Sequence, residues 1–122
     1  MKYVIMFTST PAHDAAVPPE VAQQVYGRVY QWFQENAAVI EDSGAELQPV
    51  ESATTVRYSA TGPIVVDGPF TEAREAVGGF SIIDVPDLDA ALALARSWPM
   101  LELEGTSVEI RPIVTDYSQF EQ

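Results

Sequence analysis

Apolar side chains occupy both faces of the first predicted strand, and this feature limits the possible folds more than any other. Residues 2 to 8 are nearly all β-formers, and side chains alternate between the two faces of a strand. The two apolar sets are Tyr3, Ile5 and Phe7 on one face, and Val4 and Met6 on the other. Such a strand belongs in a sheet that is covered on both sides.

The rest of the sequence predicts an α+β order of elements. The prolines and acid of Pro18-Pro19-Glu20 favour a first helical turn, and Gly44 is interpreted as the end of that helix. Asp87 is predicted to cap a second helix, and Pro112 indicates that the last strand lies at a sheet edge or an interface rather than at the sheet centre. The predicted strands are 2–8, 45–50, 54–58, 63–66, 79–85 and 107–114, with a loop over 9–18 and helices over 19–42 and 86–98.

Strand, helix, strands, helix, strand is the ferredoxin-like order, in which two helices cover one face of an antiparallel sheet. The strands over 54–58 and 63–66 form a β-hairpin inserted into that order. The second face of the sheet is left bare, and a chain of this length has no spare element to cover it. We therefore expect a symmetric homodimer in which two such faces meet.

Composition narrows the class of protein. A chain of 122 residues predicts a single domain over 1–122, and no apolar run approaches the ~20 residues that span a bilayer. The net charge is −12 and the six basic residues are scattered, so we expect binding neither to nucleic acid nor to an anionic membrane surface. The absence of cysteine excludes thiolate chemistry and, with no convincing signal peptide, indicates a cytoplasmic protein.

A tight turn follows the strand that ends at Val66. In Asp67-Gly68-Pro69-Phe70, Gly68 permits a positive φ and Pro69 fixes its own φ at about −65°. Asp67 is either a general base at a pocket mouth or the acceptor that holds the turn through backbone N–H groups. Sequence alone leaves both interpretations open.

Other side chains near this turn and on the strands are candidates for substrate binding. Arg57 and Arg111 lie on predicted strands, where a guanidinium can clamp a substrate carboxylate. Arg111 shares a strand face with Glu109, so an ion pair between them is the alternative. The remaining candidates are Phe70, Glu72 and Arg74; for them, core packing or a solvated surface pair is the alternative.

Four spaced segments together resemble the DGPF-domain branch of the YCII-related proteins. They are residues 53–57, Asp67 to Glu72, Gly78-Gly79-Phe80 and residues 108–112. The resemblance covers almost the whole chain. It implies a dimeric α+β barrel of ferredoxin-like protomers, in a family mostly without assigned activity whose wider superfamily includes small enzymes that act on ring compounds.

This chain departs from the family pattern at two places. Arg74 stands where the family usually has a lysine, which excludes amine chemistry at that position. The wider superfamily has a proposed histidine and aspartate pair, but the sole histidine, His13, lies in the loop before the first helix and is not assigned that role. No sequence pattern indicates a metal site or a cofactor.

Two functions of different classes fit these observations. The first is a noncatalytic, small-molecule-binding or regulatory homodimer. The alternative is a small cofactor-independent enzyme, with Asp67 as proton carrier and an arginine as anion clamp on a small organic substrate. We favour the first, because the residues do not form a complete catalytic set.

Overall fold

The computed structural model describes residues 1–69 and 75–118. Their α+β architecture is consistent with the predicted ferredoxin-like fold: four antiparallel strands form the main sheet, and two further strands pair separately. The strands are β1 (Lys2–Ser9), β2 (Ile40–Glu46), β3 (Thr54–Arg57), β4 (Ile64–Asp67), β5 (Ala76–Asp84) and β6 (Ser107–Pro112). The helices are α1 (Pro11–Ala15), α2 (Pro19–Glu35) and α3 (Leu88–Arg96), and 3₁₀ turns cover Val50–Ser52 and Pro99–Glu102.

The order of strands in the main sheet is β2-β5-β1-β6, which brings the first strand into the interior of the sheet. β1 pairs with β5 on one side and with β6 on the other, so both rows of its backbone groups are used. β6 is an edge strand, as Pro112 indicated.

One face of the sheet carries the hydrophobic core. Tyr3 and Ile5 of β1 and Ile83 of β5 are almost completely buried there. They belong to a cluster that includes Trp32 of α2 and Leu94 of α3. The side chains on this face therefore pack beneath the helices.

The opposite face of the sheet is apolar but only partly buried. Val4 pairs with Ile82, and Met6 pairs with Phe80, so these four side chains share one face by the alternation of the strands. Val4, Met6 and Ile82 are half-buried, and Phe80 is 36% exposed. We call these four residues the open sheet face.

The two helices of the predicted pattern form, but the first prediction was wrong in its length. α2 ends at Glu35 rather than at residue 42: the Asn36 side chain donates to the Trp32 carbonyl, and the Ala37 N–H donates to the Gln34 carbonyl three residues back instead of continuing the helical pattern. Ile40, which continued the helical spacing, instead pairs with Ile83 in β2. The predicted loop over 9–18 also contains the short helix α1.

The second helix begins as predicted. The Asp87 carboxylate accepts a hydrogen bond from the Ala90 N–H at 2.9 Å and caps α3.

Candidate functional site

A groove of about 1020 Å³ lies between α2 and one end of the main sheet. The end of β1, the end of β2 and the start of β5 line its sheet side. Its lining divides into an apolar floor and a polar rim. The floor includes Phe7, Val29, Phe33, Trp98 and Met100, and the rim includes Asp14, Tyr26, Glu46, Glu51 and Thr106.

Aromatic rings make the floor rigid. Phe7 stacks on Trp98 with ring centroids 3.9 Å apart and meets the edge of Phe33 at 6.3 Å. Trp32 packs edge-on against Trp98 at 5.0 Å, and its Nε1 donates to Ser97 Oγ at 2.8 Å. These contacts hold the rings in one arrangement, so the floor is a preformed apolar surface.

A tyrosine and a glutamate join the helix to the sheet at the rim. Tyr26 of α2 donates its hydroxyl to Glu46 Oε1, at the end of β2, over 3.2 Å. Burial, and then the charges of Glu46 and Asp14, raise the pKa of Tyr26 above its ordinary value of 10.0. Both carboxylates therefore act on the same phenol.

The Asp14 carboxylate is itself held in place. Its Oδ2 accepts a hydrogen bond from Ser9 Oγ at 2.6 Å, which connects α1 to the last residue of β1. Thr106 Oγ1 is buried without a hydrogen-bond partner in the described part of the chain. The rim thus holds two carboxylates, each oriented by a neighbouring hydroxyl group.

Glycines shape the sheet side of the groove. Gly44 adopts a φ of 70° at an irregularity in the pairing of β2 with β5. A Cβ at Gly79 would lie 3.0 Å from the Ala45 carbonyl oxygen, so the two strands approach closely there. Gly44, Glu46 and Gly79 all line the groove.

The turn that contains Asp67 lies on the separate β3–β4 pair. The Gly68 N–H donates to the Ala53 carbonyl at 2.8 Å, Thr55 Oγ1 donates to the Gly68 carbonyl at 2.6 Å, and Gly68 has a φ of 107°. The Asp67 side chain is exposed. Backbone and threonine bonds therefore secure this side of the turn.

Among the described candidates for substrate binding, Arg57 does not lie beside Asp67. Arg57 lies at the opposite end of the β3–β4 pair, since Thr54 is the partner of Asp67 and Ile64 is the partner of Arg57. Phe70, Glu72 and Arg74 lie outside the described residues.

Arg111 forms the alternative interaction that the sequence suggested. It is on β6, at the edge of the main sheet, where its guanidinium forms an ion pair with Glu109. Arg111 and Glu109 stand opposite Val4 and Met6, so the pair borders the open sheet face.

The groove residues were not predicted from the sequence. Asp14, Tyr26 and Glu46 come from three separate elements, and no spacing along the chain relates them. One sequence feature pointed toward the groove: Tyr26 follows the buried residue Val25 on α2, so its phenol hydroxyl lies near the core.

The described residues contain no group of three or more histidine, cysteine, aspartate or glutamate side chains that could hold a metal ion. Within 1–69 and 75–118, the structure has no helix with the length and apolar character to cross a membrane. His13 lies against Gly105, with its Nε2 3.6 Å from Glu104 Oε1.

Comparison with known proteins places this architecture in a family. An uncharacterised protein from Rhizobium meliloti (strain 1021) is 44% identical over 69 residues, which span 57% of this chain and only 56% of that relative. A solved structure of 5-chloro-2-hydroxyhydroquinone dehydrochlorinase from Burkholderia phenoliruptrix AC1100, in complex with 2,5-dihydroxybenzoquinone, is similar with a TM-score of 0.47 and 16% identity. That similarity covers 89% of this chain and 91% of the other. The model of the YCII-related domain matches residues 1–115, and the chain therefore belongs to the YCII-related family.

Proposed function

We propose that this protein is a homodimer that binds a small organic molecule in the groove between α2 and the sheet. The observation that carries the proposal is the groove itself, which joins a preformed aromatic floor to a rim with few polar groups. Sites for small ligands are typically concave and mostly apolar, with a small number of placed polar groups that set orientation.

The groove has room for a molecule of one or two rings. Its volume of about 1020 Å³ is at the upper end of the range common for ligand sites. Phe7 and Phe33 are half-buried and offer ring surface, which favours an aromatic or compact apolar body, and the buried Trp98 supports Phe7 from beneath. The Tyr26–Glu46 hydrogen bond gives the ligand a polar group to meet at one end.

Tryptophan fluorescence tests the proposal, because Trp98 lines the groove and Trp32 packs against it from behind. We expect saturable quenching when a set of small ring compounds, both charged and neutral, is titrated into the protein. In Phe33→Ala the floor loses a ring, and the affinity should fall about tenfold or more, as for a buried aromatic anchor. Tyr30→Ala removes an exposed aromatic ring on the same helix and should leave the affinity unchanged. Absence of saturable quenching by any ring compound would refute the proposal.

The dimer part of the proposal rests on the open sheet face. Four apolar side chains, Val4, Met6, Phe80 and Ile82, remain partly accessible over two paired strands. A second copy brings the same apolar stripe, and a two-fold axis lets the two stripes cover each other. The face therefore suits a symmetric interface, bordered by the ion pair on β6.

The oligomeric state can be measured by light scattering coupled to size exclusion. Met6→Glu places a charge in the middle of the open sheet face and should convert the dimer to a monomer. Tyr30→Glu introduces the same charge on α2, at a side chain that is 69% exposed, and should leave the dimer intact. A wild-type protein that is monomeric at micromolar concentration would refute the dimer.

The catalytic alternative depends on Asp67 and an arginine. Asp67 is exposed, Arg111 is engaged with Glu109, and neither residue lines the groove in the described part of the chain. An exposed carboxylate lacks the desolvation that tunes a general base. We therefore favour binding over catalysis as the function.

Within the YCII-related family, we propose that the chain belongs to the DGPF branch, because residues 67–70 are Asp-Gly-Pro-Phe.

A further inference from the structure

The β3–β4 pair stands apart from the hydrophobic core. Its two strands pair with each other, and neither joins the main sheet. Seven of their eight residues are exposed, and none is buried. A two-stranded sheet alone is marginally stable at best in water, and it needs a further surface to pack against. The core cluster of the described chain includes no residue of either strand and does not supply that surface.

Large apolar side chains are exposed on this pair. Val56 lies directly opposite Val65 in the register, so the two side chains share one face, and they are 65% and 69% exposed. Tyr58, the first residue after β3, is 90% exposed. Ile64 and Val66 are exposed on the opposite face of β4. Contiguous exposed apolar surface of this kind indicates an interaction site.

The proposed dimer needs more surface than the open sheet face provides. A stable interface buries about 800 Å² on each partner. Phe80 is 36% exposed, and the other three side chains of the open sheet face are half-buried. Since even an aromatic side chain totals roughly 150–250 Å², these four side chains offer on the order of 300 Å². A second apolar surface must therefore contribute to a stable dimer.

The charge of the β3–β4 pair suits contact with another copy of this chain. The net charge is −12, so two copies repel each other at long range. Residues 52–66 contain no aspartate or glutamate, and their one charged side chain is that of Arg57. Depletion of acidic residues, with tyrosine and arginine present, is typical of the centre of a protein interface. A second acidic chain can therefore approach this segment without meeting a carboxylate.

We infer that the β3–β4 pair is a dimerisation arm, whose Val56–Val65 face packs against the second copy of the chain. The inference rests on the dimer of the proposed function and adds a contact surface to the open sheet face. β4 precedes β5, the strand that carries Phe80 and Ile82, so one interface can include both surfaces. Packing on the partner removes the valines from water and gives the arm the support that it lacks alone.

Sedimentation equilibrium tests the arm through the dissociation constant of the dimer. Tyr58→Thr with Val65→Thr removes apolar surface but keeps residues that favour strands, so the arm itself is retained. The dissociation constant should rise tenfold or more, as for loss of an interface tyrosine and its neighbour. Tyr30→Gln with Leu88→Gln is the matched control: it removes two exposed apolar side chains from α2 and α3, keeps helix formers, and should leave the dissociation constant unchanged.

Hydrogen exchange gives an independent measurement on the arm. In Met6→Glu, which is expected to be monomeric, the arm loses the partner against which it packs. The backbone amides of residues 54–57 and 64–67 should then exchange at least tenfold faster than in the wild-type dimer. The amides of α3 lie over the core and should keep their rates, which reports that the protomer is still folded.

A dimer of the arm variant as tight as wild type would overturn the inference and leave the proposed dimer standing. Equal weakening in the control variant would also overturn it, because loss of any exposed apolar pair would then explain the effect. Equal exchange rates of the arm in Met6→Glu and wild type would show that the arm needs no partner, and would overturn it too. A monomeric wild type would overturn both the dimer and the arm, while the titration of ring compounds decides ligand binding separately.

Discussion

Substitution of Gly44 by alanine tests how the sheet side of the groove is built. Gly44 has a φ of 70°, a conformation that costs an L-residue about 1–2 kcal/mol. A Cβ at this position would lie 1.8 Å from the Phe80 carbonyl oxygen and 2.7 Å from its carbon, distances that no real structure retains. β2 must therefore move away from β5 by more than an ångström.

That movement affects the hydrogen bonds around the irregular pairing. The Gly44 N–H donates to Asp42 Oδ1 at 2.7 Å, and Ser81 Oγ donates to the Ser43 carbonyl at 2.7 Å. The Gly44–Asp42 bond lies within β2, but the Ser81–Ser43 bond joins β5 to β2, and its loss, at roughly 1 kcal/mol, adds to the backbone strain. We expect Gly44→Ala to lower the free energy of unfolding by about 2–3 kcal/mol.

Gly27→Ala is the matched control. Gly27 lies within α2, and a Cβ there would meet nothing within 4 Å. Alanine should therefore raise the free energy of unfolding by about 0.5–1 kcal/mol through its better helix propensity.

Denaturation in guanidinium, followed by tryptophan fluorescence, measures both variants. Protomer concentration is held fixed, because dimerisation would otherwise shift the apparent stability. A free energy of unfolding for Gly44→Ala within 1 kcal/mol of wild type would refute the reasoning about the close approach of β2 and β5.

Three further predictions concern the helices and the rim. Asp87→Ala removes the cap of α3 and should cost about 1 kcal/mol of unfolding free energy in chemical denaturation; no measurable loss would contradict the capping role. Ser97→Ala leaves the Trp32 indole N–H without its acceptor and should cost about 1–3 kcal/mol in the same assay, whereas a neutral result would contradict this bond. Ultraviolet titration should find the pKa of Tyr26 above 10.0, mainly because of burial, so the stability that depends on its protonated phenol persists below that pH and is lost as pH rises through the raised value. Glu46→Gln should lower that pKa toward 10.0, and an unchanged value would contradict the contact.

The sequence predicted correctly those features of the fold that depend on one residue and its neighbours along the chain. The Asp87 cap and the edge position of Pro112 depend on the chemistry of one residue and its near neighbours. The apolar alternation of β1 likewise distinguishes Tyr3 and Ile5, which are buried, from Val4 on the opposite face. These features require no knowledge of distant contacts.

Features that depend on tertiary contacts were missed. The predicted helix continued to residue 42 because Ile40 kept the apolar spacing, but its pairing with Ile83 places it in a strand. Gly44 was interpreted as a helix end, although its positive φ serves an irregular strand that packs against Phe80. In both cases a partner about forty residues away determines the conformation.

The candidate site was missed for the same reason. The Asp67 turn has an unusual local sequence that drew the prediction of a site, and hydrogen bonds of Gly68 and Thr55 hold that turn. The groove forms only when α2 lies against the ends of β1, β2 and β5, so Tyr26 and Glu46 meet across 20 residues of sequence. No pattern within one element predicts such a meeting.

A crystal structure of the protein with a ring compound that quenches its tryptophan fluorescence saturably tests the central claim most directly. We predict that the ring of the ligand lies on Phe7 and Phe33 in the groove, in each protomer of a two-fold dimer. A ligand bound instead beside Asp67, with the groove filled by protein side chains, would contradict the account.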